Sequence, residues 1–376
     1  MAFLIDPYIR KYTEDLSFIH LKEDAQINIK GYLIPSGGLD VPLLTHELAE
    51  NIKTKKENEV ITVAAIIRGM AYTIGIDSGF KYATEYIKFL KSVDDNIEKF
   101  ILVEAVKLAE DSKLAESLIF IKSVLVLNET NPQALLNYGI SLLKYAEEKL
   151  SSKKEIKVFR REAKDKLEAL LEIQPDPVAY YQLAYIYKDE KQFKRAQLYA
   201  EKLLDLEVDE LLQARVKHML YELEDLVKYE IGYEAILQGN TEAGLPLLLE
   251  LEEKYPEWWN LIFFIGLGYR QAKEYNEAIE KFEAVLVLKE DMLDSIVELG
   301  LCYSSKGNYL EAIDYFKKAL EVGGENSEIL CNLAMAHMEL GDYQEADYYI
   351  KTSLELNPHD EITQACEKQI KALMAE

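Results

Sequence analysis

Three segments near the C-terminus superimpose without gaps: FIGLGYRQAKEYNEAIEKFEAVL, ELGLCYSSKGNYLEAIDYFKKAL and NLAMAHMELGDYQEADYYIKTSL. Gly266, Gly300 and Ala334 lie 34 residues apart, as do Ala278, Ala312 and Ala346, with Tyr275, Tyr309 and Tyr343 in step. A fixed period of this length constrains a chain more than its composition does. Each unit is one supersecondary element that buries its apolar face only against its neighbours. With Gly266 placed at position 8, the frame extends backwards through Gly232, Ala184 (in LAYIYKDEKQFKRAQLYAEKLL), Gly139, Ala105 and Ala71. The matching position-20 series is Ala83, Ser117, Ala163, Ala196, Gly244, Ala278, Ala312 and Ala346, so both series hold only Gly, Ala or Ser. Paired helices approach to the short end of the range of about 8–10 Å only where neither carries a bulky side chain. Tyr187, Phe193, Tyr269, Phe282, Tyr303 and Phe316 at flanking offsets fill the remaining space.

This period, with small residues at these offsets, resembles the tetratricopeptide repeat (TPR) family of bacterial type. The resemblance implies an all-α fold, an α-solenoid in which antiparallel helix pairs wind as a right-handed superhelix. About eight TPR-like units are expected over residues 64–360. Two spacings depart from the period. Gly139 to Ala184 is 45 residues, with the excess between the paired helices near 144–166, read as extensions of both helices joined at Ser151-Ser152. Ala184 to Gly232 is 48 residues, and the extra 14 near 209–224 add about four helical turns. This predicts one long helix from about Glu210 to Gln238, with a separate extra helix as the alternative. Residues 361–376 carry Ile362, Cys366, Ile370 and Leu373 on one stripe, which suits a C-terminal capping helix. Residues 1–63 fall outside the repeat and are read as an N-terminal capping region. They hold a helical stretch around Pro7–Phe18, a short β-like segment, INIKGYLIP, and a helix in VPLLTHELAENIK.

The net charge of −24 opposes binding to nucleic acid and docking on anionic membranes. Three cysteines without a CxxC suit a reducing compartment. The N-terminus lacks the pattern of a signal peptide, and no run of about 20 apolar residues is present. A cytoplasmic protein is therefore expected. His46-Glu47 opens a HELAE run with Glu50 where a zincin needs its second His, and GIDSG does not match a nucleophile elbow. The five His show no metal-ligand spacing with Cys. No catalytic residue, cofactor or metal is predicted, and no enzyme. His337 stands where neighbouring units place Tyr269 and Tyr303 and is read as packing, as are the cysteines.

In TPR proteins the first helix of each unit lines a concave face, and the resemblance implies that positions 2, 5, 9 and 12 point into it. In the middle of the array these are Tyr181, Tyr185, Lys188, Tyr229 and Tyr233, then Phe263, Leu267 and Arg270. Later units offer Asp294, Val297 and Leu301, then Glu328, Cys331, Met335 and Met338. Aromatic residues anchor interfaces by burying much area at little rotamer cost. The same residues also suit packing against the next helix. The family's chaperone-tail binders use a Lys/Asn/Arg carboxylate clamp at these offsets, from which the Tyr, Phe and Leu here depart.

One basic run stands apart in the acidic chain. Lys153, Lys154, Lys157, Arg160, Arg161, Lys164 and Lys166 face only Glu155, Glu162 and Asp165, either as a solvated helix face or as a projecting finger for an acidic partner. The expected function is a non-catalytic scaffold that captures a protein or peptide segment. A peptide-responsive TPR regulator that changes superhelix shape is the alternative. An enzyme built on residues 1–63 is a third class, and too few residues are available there for an active-site domain.

Overall fold

The computed structural model describes residues 3–25, 29, 32–53 and 62–375, with 50–53 by backbone alone. The chain divides into two compact units, Met1–Leu220 and Tyr221–Glu376. The first contains α1 (Asp6–Ile9), a 3-10 turn (Arg10–Asp15), β1 (Leu16–Leu21), β2 (Leu39–Leu44), α2 (Thr45–Lys53), α3 (Val63–Ile76) and α4 (Ala83–Val93). It continues with α5 (Ile97–Glu110), α6 (Leu114–Leu127), α7 (Pro132–Lys149), α8 (Lys153–Ile173), α9 (Pro177–Asp189) and α10 (Phe193–Leu204). The 28-residue α11 (Glu210–Leu237) is one uninterrupted helix. The second unit then holds α12 (Thr241–Lys254), α13 (Trp259–Gln271), α14 (Tyr275–Leu288) and α15 (Leu293–Ser305). It ends with α16 (Tyr309–Gly323), α17 (Ser327–Glu339), α18 (Tyr343–Leu356) and α19 (Glu361–Ala375).

Apart from β1 and β2 the described chain is helical. Its helices pack as antiparallel pairs, α7 with α8 and α9 with α10 in the first unit, and α13 with α14, α15 with α16 and α17 with α18 in the second. Successive pairs lie on one another through α8 and α9, α14 and α15, and α16 and α17, which is the layering of an α-solenoid. The small residues act where the spacing places them. A methyl group at Gly266 would lie 2.7 Å from the Phe282 ring, and one at Gly300 2.5 Å from the Phe316 ring. Twelve residues separate a second set of partners across each pair. Tyr187 stacks on Tyr199 at 5.3 Å, Tyr303 on Tyr315 at 5.4 Å, and His337 on Tyr349 at 5.5 Å. His337 is thus a buried stacking residue.

The turn inside each pair is also repeated. Gly239, Lys273, Gly307 and Gly341 all have positive φ, between 64° and 80°. The residue after each donates its N–H to a carbonyl five residues back, as in Asn308 to Tyr303 at 2.9 Å. This is a Schellman cap, which satisfies carbonyls left over at the helix end. Lys273 adopts the same conformation at the steric cost of a Cβ.

The N-terminal region departs from expectation. The strands are Leu16–Leu21 and Leu39–Leu44, antiparallel with Leu16 opposite Leu44 and Leu21 opposite Leu39. Thus Leu16–Phe18 are extended rather than helical, and Val41–Leu44 form β2 rather than the start of a helix. Of INIKGYLIP, Ile27, Asn28, Lys30 and Gly31 lie outside the described residues, while Ile29 and Tyr32–Pro35 belong to neither strand. A two-stranded ribbon is marginal by itself. Here β2 lies on α3, and Gly69 allows the contact, since a Cβ there would fall 1.9 Å from the Pro42 carbonyl oxygen. At the other end, α19 packs Cys366, Ile370 and Leu373 against Cys331, Ala334 and Ile350. Ile362 faces solvent, and Thr363 takes its place on the buried stripe.

Upstream of β1 the chain is held by buried charge. Phe3, Ile5 and Ile9 are buried, and the Ile5 N–H donates to Glu162 Oε2 of α8 at 3.0 Å. Tyr138 of α7 donates its hydroxyl to Glu162 Oε1 at 2.7 Å, and Lys122 of α6 donates to Asp6. The ammonium groups of Lys122 and Lys166 lie 4.7 and 4.8 Å from the Phe3 ring centre. Burial pushes the Glu162 carboxyl up and the Lys122 ammonium down from their ordinary values. A buried ion needs its partners, because removing one strands the other.

Two outcomes follow from this packing. Gly300→Ala forces the Phe316 ring aside and should lower stability by about 1–3 kcal/mol, read as a reduced denaturant midpoint. Glu162→Ala removes the acceptor of both Ile5 and Tyr138 and should cost about 3–5 kcal/mol. It should also speed tryptic cleavage after Arg10 and Lys11; an unchanged cleavage rate would mean that Glu162 does not hold this segment.

Candidate functional site

In the first unit the expected partner-binding residues sit on α9. Asp176 caps this helix by accepting the Ala179 N–H at 2.9 Å, and Pro177 begins it. Its packed face carries Ala179, Leu183, Ala184, Ile186 and Tyr187. Tyr181, Tyr185 and Lys188 therefore lie off that face, at i, i+4 and i+7 spacing. The rings of Tyr181 and Tyr185 meet edge to face at 4.9 Å, and Tyr185 is 41% exposed. Beside Tyr185 opens a cavity of about 360 Å³ between α7, α8 and α9, lined also by Leu143, Glu147, Ile156, Arg160 and Gln182.

This cavity joins two features that the sequence separates, because Arg160 belongs to the basic run. That run is not a projecting finger. It forms the first two thirds of α8 and packs along α7, since Phe159 is fully buried and stacks on Tyr145 at 5.3 Å. Two of its cations are neutralised from α9 and the residue after it: Arg160 pairs with Asp189 at 2.5 Å and Lys164 with Glu190 at 2.7 Å. Lys166 is buried. Lys153, Lys154, Lys157 and Arg161 are exposed.

In the second unit the expected residues divide between surface and core. Tyr229 is 7% exposed, with its ring 4.4 Å from that of Trp258. Tyr233 is half-buried and stacks on Phe264 at 5.1 Å, and Phe264 meets Phe263 at 5.7 Å. Leu267 packs against the clusters on either side of it. Leu301 and Met335 together line a small cavity of about 120 Å³ with Asn332 and Glu339. Met338 and Cys331 are buried against α18 and α19, so neither presents surface to a partner. Asp294 and Glu328 are exposed and Val297 is half-buried. Trp258 and Phe264 are the residues that the offsets missed. Phe264 follows Phe263 directly, and a turn of about 100° moves it to the next ridge.

Arg270 of α13 pairs with Glu298 of α15. Burial, opposed by the guanidinium, holds the Glu298 carboxyl above its ordinary value of 4.5. Cys302, one turn away, is fully buried and its thiol is pushed up to about 12; that of Cys366 is pushed up to about 11 by burial and by Cys331. Both thiols stay protonated, which is the state of a packing residue. Among the described residues, no group of three or more His, Cys, Asp and Glu could hold a metal ion. No helix among them is long and apolar enough to cross a membrane.

The sequence matches the tetratricopeptide-repeat family over residues 178–207, 261–296 and 291–359. The chain carries tetratricopeptide repeats. No curated protein matches it. Among solved structures, it is similar to the first TPR of Spaghetti (RPAP3) bound to the HSP90 peptide SRMEEVD, at 16% identity over 31% of this chain and 94% of that one, with a TM-score of 0.31. It is also similar to MamA MSR-1 C2, at 20% identity over 48% and 97%, with a TM-score of 0.37. A third is the Sgt2 TPR domain from Aspergillus fumigatus, at 18% identity over 31% and 80%, with a TM-score of 0.30.

Because the folded pKa of Glu298 lies above its unfolded value, the folded state binds the proton more tightly. The site's contribution to stability is then fully present below pH 4.5 and is lost as pH rises through the folded value. The stability of the wild type relative to Glu298→Gln should therefore increase as pH falls from 7 towards 4.5, measured by urea unfolding at each pH. A difference independent of pH would contradict the assignment.

Proposed function

We propose that the protein is a non-catalytic scaffold whose repeats bind a protein or peptide segment on their inner, concave face. The observation that carries the reading is Tyr185. Its large ring is 41% exposed, at the mouth of a cavity of about 360 Å³ that also holds Arg160, Glu147 and Gln182. An exposed aromatic beside an apolar recess with a few polar groups has the composition of an interface anchor. In the second unit, Tyr233, Phe263 and Leu267 are half-buried and retain surface for the same purpose. Both faces are aromatic and aliphatic, which favours an apolar or amphipathic segment over a strongly acidic tail.

The test is affinity capture with the wild type, with Tyr185→Ala, and with Tyr233→Ala/Phe263→Ala. Losing an anchor should reduce recovery of a specific partner by about tenfold or more in at least one variant. If all three proteins recover the same partners in equal amounts, the concave-face reading fails.

A further inference from the structure

A second cavity, of about 480 Å³, lies in the first unit between the 3-10 turn, β2, α2, α3, α5 and α6. It is remote in character from the α9 recess. Its floor is apolar: Leu44, Tyr72 and Phe120 are 6%, 1% and 2% exposed. Its walls carry four carboxylates, Asp15, Glu47, Glu104 and Glu116, against Arg68, with His46 and Lys113 exposed at the rim.

These charges are unevenly matched. The Arg68 guanidinium makes a two-pronged contact with Glu47, Nε to Oε1 at 2.7 Å and Nη2 to Oε2 at 2.9 Å, and its Nη1 lies 3.9 Å from Glu104. Glu104 also accepts from Lys107 at 2.8 Å. The arginine is therefore committed, and so is the acid on either side of it. Asp15 accepts from the Tyr72 hydroxyl at 3.2 Å. Glu116 is the exception. Its Oε2 is buried and has no hydrogen-bond partner among the described residues. Burial pushes the Glu116 carboxyl above its ordinary value, against the opposing pull of Lys113 and His46, and Asp15 adds a smaller push in the same direction. A buried acceptor without a donor costs free energy that a bound donor would recover.

We propose that this cavity binds an alkylammonium group, with its nitrogen between Glu116 and Asp15 and its aliphatic stem on Leu44 and Phe120. An ammonium supplies three donors and one positive charge to a wall on which four carboxylates outnumber Arg68 and the rim Lys113, and where Glu116 Oε2 has no donor among the described residues. The recess is of a size that holds a small ligand; such sites span about 300–1,000 Å³. An anion is disfavoured, because Arg68 is already doubly engaged by Glu47 and the lining carboxylates outnumber Arg68 and Lys113. The ammonium comes either from a free aliphatic amine or from a lysine side chain of a peptide, and both present the same chemistry.

The experiment titrates the full chain with n-pentylammonium, with pentanoate and with acetyl-Gly-Lys-Gly-amide, followed by calorimetry or ligand-observed NMR. Pentylammonium should bind saturably and pentanoate should not. Glu116→Gln and Asp15→Asn should each weaken the amine by about tenfold, while Tyr185→Ala leaves it unchanged. Far-UV circular dichroism checks folding, and if Glu116→Gln does not fold, Asp15→Asn decides. Tighter binding of the peptide assigns the ligand to a protein lysine; binding of pentylammonium with exclusion of the peptide assigns it to a free amine, and both support the site. Absence of saturable amine binding, equal binding of pentanoate, or unchanged amine affinity in the carboxylate variants overturns the proposal.

Discussion

At Gly300 a single hydrogen atom separates helix α15 from the ring of Phe316, and at Gly266 the same holds for α13 and Phe282. This close approach is the constraint on which the rest of the second unit depends. It brings the paired helices near enough for one aromatic ring to fill the space between them. The next partners across the pair, Tyr303 with Tyr315 and His337 with Tyr349, then stack one turn further along. It also demands short turns, and the recurring positive-φ residues at Gly239, Lys273, Gly307 and Gly341 supply them. Once these faces are committed to packing, the side chains that keep exposed surface are those on the remaining ridge of each first helix, such as Asp294 of α15 and Glu328 of α17.

The first unit solves a different problem. Its leading segment is anchored through Glu162, Lys122 and Asp6 rather than through apolar contact alone. Buried ions are costly in general, and well-packed apolar residues would often be as stable. What the ions add is position. Glu162 reads a backbone N–H at Ile5 and a hydroxyl at Tyr138, so the segment has one register in which all donors are met. Gly69 does the same for β2 by admitting the Pro42 carbonyl at the surface of α3. Together these contacts bring the 3-10 turn, β2 and α2 against α3, α5 and α6, and so enclose the acidic cavity.

The repeat frame was legible because it rests on backbone geometry. A small residue at position 8 and another at position 20 are required wherever two helices touch, whatever surrounds them. The length of α11 was legible for the same reason, since an insertion of whole helical turns preserves the apolar face. The N-terminal strands were not. Pro42 and the helix-like run VPLLTHELAENIK disguise β2, while LSFIHL is too short to be distinguished from a helix start by periodicity. Which of the expected partner-facing residues keep surface was legible only in part. The offsets led to Tyr185, which is exposed, and Tyr181, which is half-buried, but also to Tyr229 and Met338, which are buried. Offset alone does not report that Trp258 covers Tyr229, or that α19 covers the face of α17 carrying Cys331 and Met338.

By itself, then, the sequence determined the helical period, the small-residue contacts within each pair and the two lengthened regions. Each of these follows from local geometry that repeats every 34 residues. Tertiary structure alone decided where the non-repeating segment rests, which aromatic residues stay at the surface, and that Arg160 shares a cavity with Tyr185 while Glu116 faces another. Those outcomes depend on residues far apart in the chain competing for the same space and the same hydrogen-bond partners, and no local pattern encodes the result of that competition.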